Sequence, residues 1–270
     1  MKKVFALIEK ESAKFAQLPF FEFLGNKSIA LIQRLSFAAY FALFIMGYGN
    51  LNKFVSLEEP KVNPIQYIFN KQIREQENHW IWFLKDLEDL DLNRFLNFTD
   101  SLKLNLSDQI VICRQIIYEL YRLTFQVNPI YKLVAIESIE SISNIFFSIT
   151  APVTQELKAL TNREYPYFVN PHLLAENDHS VHSYETKEFI GSMHLAEEIC
   201  KQACELVNKI FELFTALVDM LVNFAEKYKI KQLLTQSFGG SDSTQLPCAI
   251  LLQSGFKSPY VTLFSTRRCA

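Results

Sequence analysis

The chain has 270 residues, a net charge of −2 and a 49% hydrophobic composition, with 24 phenylalanines but only 7 glycines. That length suits one large domain or two small ones, and the apolar share allows a large buried core. The basic residues are scattered, with no run suited to nucleic acid, and the absence of glycine between Gly49 and Gly191 removes GxGxxG and GxxxxGKS/T phosphate loops from that stretch.

Glycine scarcity also favours long helices over sheets, whose turns use glycine often, so the expected fold class is all-α. Apolar spacing predicts helices over roughly 2–17, 27–48, 63–90, 107–125, 128–148, 150–161, 166–184 and 186–229. The first of these carries charge where a signal peptide would need an apolar core, which points to a cytoplasmic protein. The apolar run "LSFAAYFALFIMGYG", 35–49, falls short of the ~20 residues a bilayer span needs, so a buried core helix and no membrane span are expected. "EEPKVNP" separates the second helix from the third, with Pro64 near a first turn where its missing N–H costs little. "NLSDQI" offers Ser107 or Asp108 as an N-cap, while "QVNPIY" and "NREYPYFVNP" mark two further turns. Five cysteines form no CxxC pair, in keeping with a reducing compartment, and Cys200 and Cys204 share a helix face as packing residues. The helical domain is expected over 1–230, followed by a C-terminal tail, 231–270, that is partly ordered or packed back on the bundle.

Chemistry concentrates in "NPHLLAENDHSVHSYE", 170–185, which holds three of the five histidines. At about 100° per residue, Glu176 lies near +40° and His179 near −20° relative to His172, so HxxxExxH forms one stripe. His182 lies on its flank. Two imidazoles and a carboxylate suit iron or manganese, with zinc also allowed. One helix cannot complete such a site, and a carboxylate bundle draws further donors from facing helices. "REQENHWIWFLKDLEDL" supplies Glu75 and His79 one turn apart, with Asp86 further along the same stripe. "AIESIESISNIFF" supplies Glu137 and Glu140 inside an otherwise apolar helix, where an unpartnered carboxylate would be costly. Each motif also has a plainer reading as a solvated helix face or a surface pair.

At these residues the chain resembles the haem-oxygenase-like di-iron oxidases and oxygenases, often described as iron-containing redox enzymes. Three motifs carry the resemblance in order: a Glu/His helix followed by "HWIWFLKDL", a Glu before Phe146-Phe147, and H-x3-D/E-x2-H at His172, Glu176 and His179. "YFALFIMGYGNLN" is similar to the family's second core helix, and the match spans roughly 30–185. The resemblance implies a haem-oxygenase-like bundle of about seven to eight helices. It implies two iron ions, with Fe/Mn as a variant, held by Glu75, His79, Glu140, His172, Glu176 and His179, with Glu137 as the alternate to Glu140. Relatives often carry a Glu three residues before the first His, where this chain has Gln76 and Glu75 is displaced by one. The implied activity is an oxidase or oxygenase that uses dioxygen to oxidise a small organic substrate in a Phe-walled apolar pocket. Asp86 and His182 are expected behind the ligands, with Asp86 orienting a ligand histidine, capping a helix or making a salt bridge. A homodimer is an open expectation. Haem itself is not expected, because the first histidine is residue 79.

Two rival readings stand beside this one. A metal-free haem-oxygenase-like protein, of the thiaminase-like or cofactor-biosynthesis-like kind, would need Cys113 or Cys200 as nucleophile in its thiaminase-like form. A helical interaction protein would use the long last helix and the tail, with "FELFTALVDMLVNF" as its docking face.

Overall fold

The computed structural model describes residues 1–53, 64–76, 79–91, 98–169 and 184–227, and the described chain is all-α, with no strand among those residues. In chain order the helices are α1 (Lys2–Phe15), α2 (Pro19–Gly25), α3 (Leu31–Arg34), α4 (Ala38–Leu51), α5 (Pro64–Gln76) and α6 (His79–Asp89). They continue with α7 (Phe98–Leu106), α8 (Val111–Thr124), α9 (Pro129–Thr161), α10 (Pro166–Val169), α11 (Tyr184–Ser192) and α12 (Glu197–Lys227). A 3-10 turn, Asp108–Ile110, leads into α8. The predicted tail, 231–270, lies outside the described residues.

The central rod is α9, which packs against α1, α2, α3, α5, α8, α10 and α12. Its start is set by Asn128, whose side chain accepts from the Ile130 N–H at 2.9 Å, with Pro129 in the first turn. It stops at Asn162, which takes the left-handed conformation (φ 56°) that asparagine tolerates well. The sequence reading divided this segment at 149, and the structure corrects it: the helix runs on through Pro152. Proline removes one N–H and so frees the carbonyl of Ser148 four residues back. Ser148 lies on the exposed side of α9, where a freed carbonyl costs less than it would in the core. α9 is long and apolar enough to cross a bilayer by length and composition, but more than half of its most apolar stretch is buried inside the bundle.

The last predicted helix, 186–229, is corrected in the opposite sense. It breaks at 193–196 into α11 and α12. Gly191 weakens the end of α11, and Glu197 and Glu198 give α12 the acidic first turn that its dipole favours. α12 buries Val207, Ile210, Phe214, Leu217, Leu221 and Ala225 on one stripe, while Lys209 and Glu212 pair at 3.7 Å away from it. "FELFTALVDMLVNF" therefore turns most of its apolar side chains inward, each worth about 1.5–3 kcal/mol. Intramolecular packing accounts for this stretch. The predicted 27–48 helix divides into α3 and α4, and α2 and α7 were not anticipated at all. Predicted 63–90 is covered by α5 and α6, with 77–78 outside the described residues. Of predicted 166–184, α10 is described up to Val169 and 170–183 lie outside.

The two glycines of α4 permit close packing, Gly49 against Trp80 of α6 and, more tightly, Gly47 where α4 crosses α8. A Cβ added at Gly47 would stand 2.8 Å from Ile117 Cγ1. Gly47→Ala is expected to destabilise by about 1–3 kcal/mol through overpacking, against the ~1 kcal/mol alanine gains in a helix. Gly25→Ala, with nothing within 4 Å, serves as the control in a urea titration and should move the midpoint little.

Candidate functional site

α5 ends where the first donor motif begins, and it presents Gln72 and Gln76, one turn apart, to α9. Gln72 Nε2 donates to Glu137 Oε1 at 3.2 Å and Gln76 Nε2 donates to Glu140 Oε1 at 3.4 Å. The Tyr48 hydroxyl of α4 donates to Gln76 Oε1 at 3.2 Å, so one amide links three helices. Glu137 and Glu140 are half-buried on a helix whose neighbouring Ile136, Ile139 and Ile142 belong to the core. Burial pushes the Tyr48 phenol well above its ordinary range; the Asn52 side chain opposes this and the Glu140 charge adds to it. Beside Tyr48 and Asn52 lies a cavity of about 10 Å³, also bordered by Thr124 and Ile139. It has room for about one water and none for an organic substrate.

His79 opens α6, immediately beyond this region in the chain. It is half-buried, with its ring stacked on Trp82 at a centroid distance of 5.1 Å and 24° between planes. Asp86, two turns along α6, is wholly buried. Its Oδ2 accepts the main-chain N–H of Phe168 at 2.9 Å, and its Oδ1 has no hydrogen-bond partner. The described partner of Asp86 is thus a first-turn N–H of α10, a capping contact made from another helix, and not a histidine or a cation. The Phe168 carbonyl in turn accepts from Thr150 Oγ1 of α9 at 3.2 Å. α10 is held between α6 and α9 by both backbone polar groups of one residue, Phe168.

Burial pushes the Asp86 carboxyl up to about 7, against the pull of the Phe168 and Tyr167 amides. The folded chain therefore holds this proton more tightly than the unfolded chain, where the group titrates near 3.8. The stabilising contribution is complete below about pH 3.8, declines as pH rises towards 7, and is gone above it. Asp86→Asn keeps an acceptor for the Phe168 N–H and cannot ionise. It is expected to flatten thermal stability across pH 4–7 and to raise the Tm at pH 8, by about 2–4 °C for each kcal/mol relieved.

The structure brings Glu137 and Glu140 against α5 and starts α6 with His79. The side chain of Glu75, and His172, Glu176, His179 and His182, lie outside the described residues. Among the described residues no group of three or more His, Cys, Asp or Glu gathers as a metal cluster; most of the expected set lies outside those residues. What is described fits a hard cation in part. The donors are carboxylate and imidazole, and Gln72 Oε1 is a buried acceptor with no hydrogen-bond partner beside Glu137. The fit to a second cation is poorer, because the neutral amide of Gln76 faces Glu140. Gln72, Gln76 and Tyr48 were not among the expected site residues; the i,i+4 spacing of the two glutamines against the i,i+3 glutamates was the available signal.

Cys113 lies fully buried on α8 with its thiol donating to the Tyr40 carbonyl at 3.4 Å, and burial pushes it up to about 12. A thiol so placed is a poor nucleophile. Compared with protein-family models and with curated proteins, the chain matches none.

Proposed function

We propose that this protein is a metal-dependent oxidoreductase of the haem-oxygenase-like kind. In this reading it is a non-haem iron or Fe/Mn oxidase that turns dioxygen on a small organic substrate. The observation that carries the reading is the Asp86–Phe168 bond. It ties the helix that begins with His79 to the turn leading into His172, Glu176 and His179, while Thr150 ties the same turn to the helix of Glu140. The helices that carry the first two motifs, α6 and α9, thereby meet at α10, and the third motif follows α10 in the sequence.

In this proposal His172, Glu176 and His179 hold the metal with Glu140, and Glu75 and His79 serve a second ion. Iron or manganese so held would supply the redox chemistry for dioxygen. The protein's own residues do the rest. Glu140 is fixed in direction by the Gln76 amide, and Gln76 by the Tyr48 hydroxyl. The phenylalanine wall formed by Phe37, Phe41, Phe83 and Phe146 keeps water from the interior. Gln76 offers no charge where a second carboxylate would serve a second cation, so the first ion is expected to bind more tightly than the second.

Aerobic reconstitution with ferrous iron, followed by iron analysis and near-ultraviolet absorbance, tests this. Between one and two irons per chain are expected, and His179→Ala should abolish the absorbance with the helical content unchanged. No iron uptake by the intact protein would favour the metal-free reading. That reading has one observation of its own: the amides of Gln72 and Gln76 already partner Glu137 and Glu140.

A further inference from the structure

We propose that Asp86 is a proton-sensitive positioning residue, a latch whose protonation sets how firmly α10 is held to α6. The inference deepens the proposed metal site and rests on that reading only for its effect on metal affinity; the latch itself stands on described residues.

α10 is a single turn with no helix dipole of consequence, so its place depends on what grips it. Its aromatic side chains are set in the core: Phe168 meets Phe37, Phe83 and Phe146 edge-on or tilted, and Tyr167 meets Phe83 and Phe147. Two polar contacts complete the grip, Thr150 Oγ1 to the Phe168 carbonyl and the Phe168 N–H to Asp86 Oδ2. Only the second involves a group that can change charge.

Neither protonation state satisfies Asp86 fully. The carboxylate is the stronger acceptor for the Phe168 N–H, but it leaves Oδ1 buried with no well-formed hydrogen bond; the pull of the Tyr167 amide offsets the burial of that charge only in part. The neutral acid removes that charge and still accepts at Oδ2. An ionised Asp86 can regain hydration only when the turn lifts away, so loss of the proton favours opening of α10.

The groups around Asp86 leave it as the one that switches. On its own helix, Lys85 and Asp89 pair with each other at 2.6 Å. On α10, Tyr167 faces it, and on α4, Tyr48 stands beside Tyr167; burial raises both phenols, so both stay neutral at pH 5.5–8.

The test is hydrogen exchange at the Phe168 amide in the intact protein, corrected for intrinsic base catalysis. Protection is expected to fall about tenfold or more between pH 5.5 and 8. Asp86→Asn should remove that dependence, and Asp86→Ala should leave the amide poorly protected at both pH values. Ferrous-iron affinity is the second readout. Asp86→Asn should bind severalfold more tightly than the unsubstituted protein at pH 8 and equally at pH 5.5. Protection independent of pH in the unsubstituted protein, or equal pH dependence in Asp86→Asn, overturns the latch. Absence of iron binding in every variant, with the exchange result as expected, removes the metal reading and leaves the latch in place.

Discussion

Phe146→Ala is expected to lower stability by about 3–5 kcal/mol, the usual range for truncating a core phenylalanine. Phe146 is 7% exposed and sits where four helices meet. Its ring stacks on Phe20 of α2 at 6.2 Å and lies near Phe37 and Phe41, at the start of α4, at 5.9 and 5.5 Å. It also touches Phe147 of α9 itself and Phe168 of α10. Removing it leaves a void that rings on four elements cannot close together. Leu160, 76% exposed on the same helix, is the control, and its alanine variant should stay within about 0.5 kcal/mol. Urea midpoints at constant m-value measure both.

Glu140→Ala is expected to leave the fold in place and weaken iron binding by at least about a hundredfold, at or beyond the upper end of what loss of an outer-shell partner alone costs. Glu140 is half-buried and its main described bond is to the Gln76 amide, so its loss strands one amide and costs on the order of 1–3 kcal/mol of stability. Glu137→Ala disturbs the Gln72 amide in the same way. It should cost similar stability and leave iron binding nearly intact if Glu140 is the ligand, as proposed. Equal loss of iron in both variants would reverse the choice between the two glutamates. Isothermal titration with ferrous iron under anaerobic conditions separates these outcomes.

The fold class was legible because it depends on local quantities. A chain with no glycine between 49 and 191 has few means to turn tightly, and the apolar spacing of α1, α8 and α12 follows a helical stripe. Boundaries were less legible wherever tertiary surroundings decide. Pro152 reads as a stop, yet the residue whose carbonyl it frees, Ser148, is exposed and α9 continues. The break at 193–196 has only a weak local signal. The short α2 is a turn of "PFFEFLG" whose four core residues, Phe20, Phe21, Phe23 and Leu24, find their partners elsewhere in the chain.

The site was legible as residue types and not as partners. Histidine and carboxylate clusters stand out in a chain with five histidines. Asp86, by contrast, meets Phe168 across 82 residues of sequence, and Gln76 meets Glu140 across 64. Such pairs come from helix packing, which no local spacing encodes. The sequence places Asp86 on the stripe of His79, but its partner is the α10 backbone, so its task is to hold a turn.

The most direct test of the central claim, that these separate helices aim their donors at one metal, is anomalous diffraction from crystals soaked in ferrous iron or manganese. An anomalous peak is expected within bonding distance of the Glu140 carboxylate and of the imidazoles of His172 and His179. Crystals with no such peak, or with those imidazoles turned to bulk solvent far from Glu140, would contradict it.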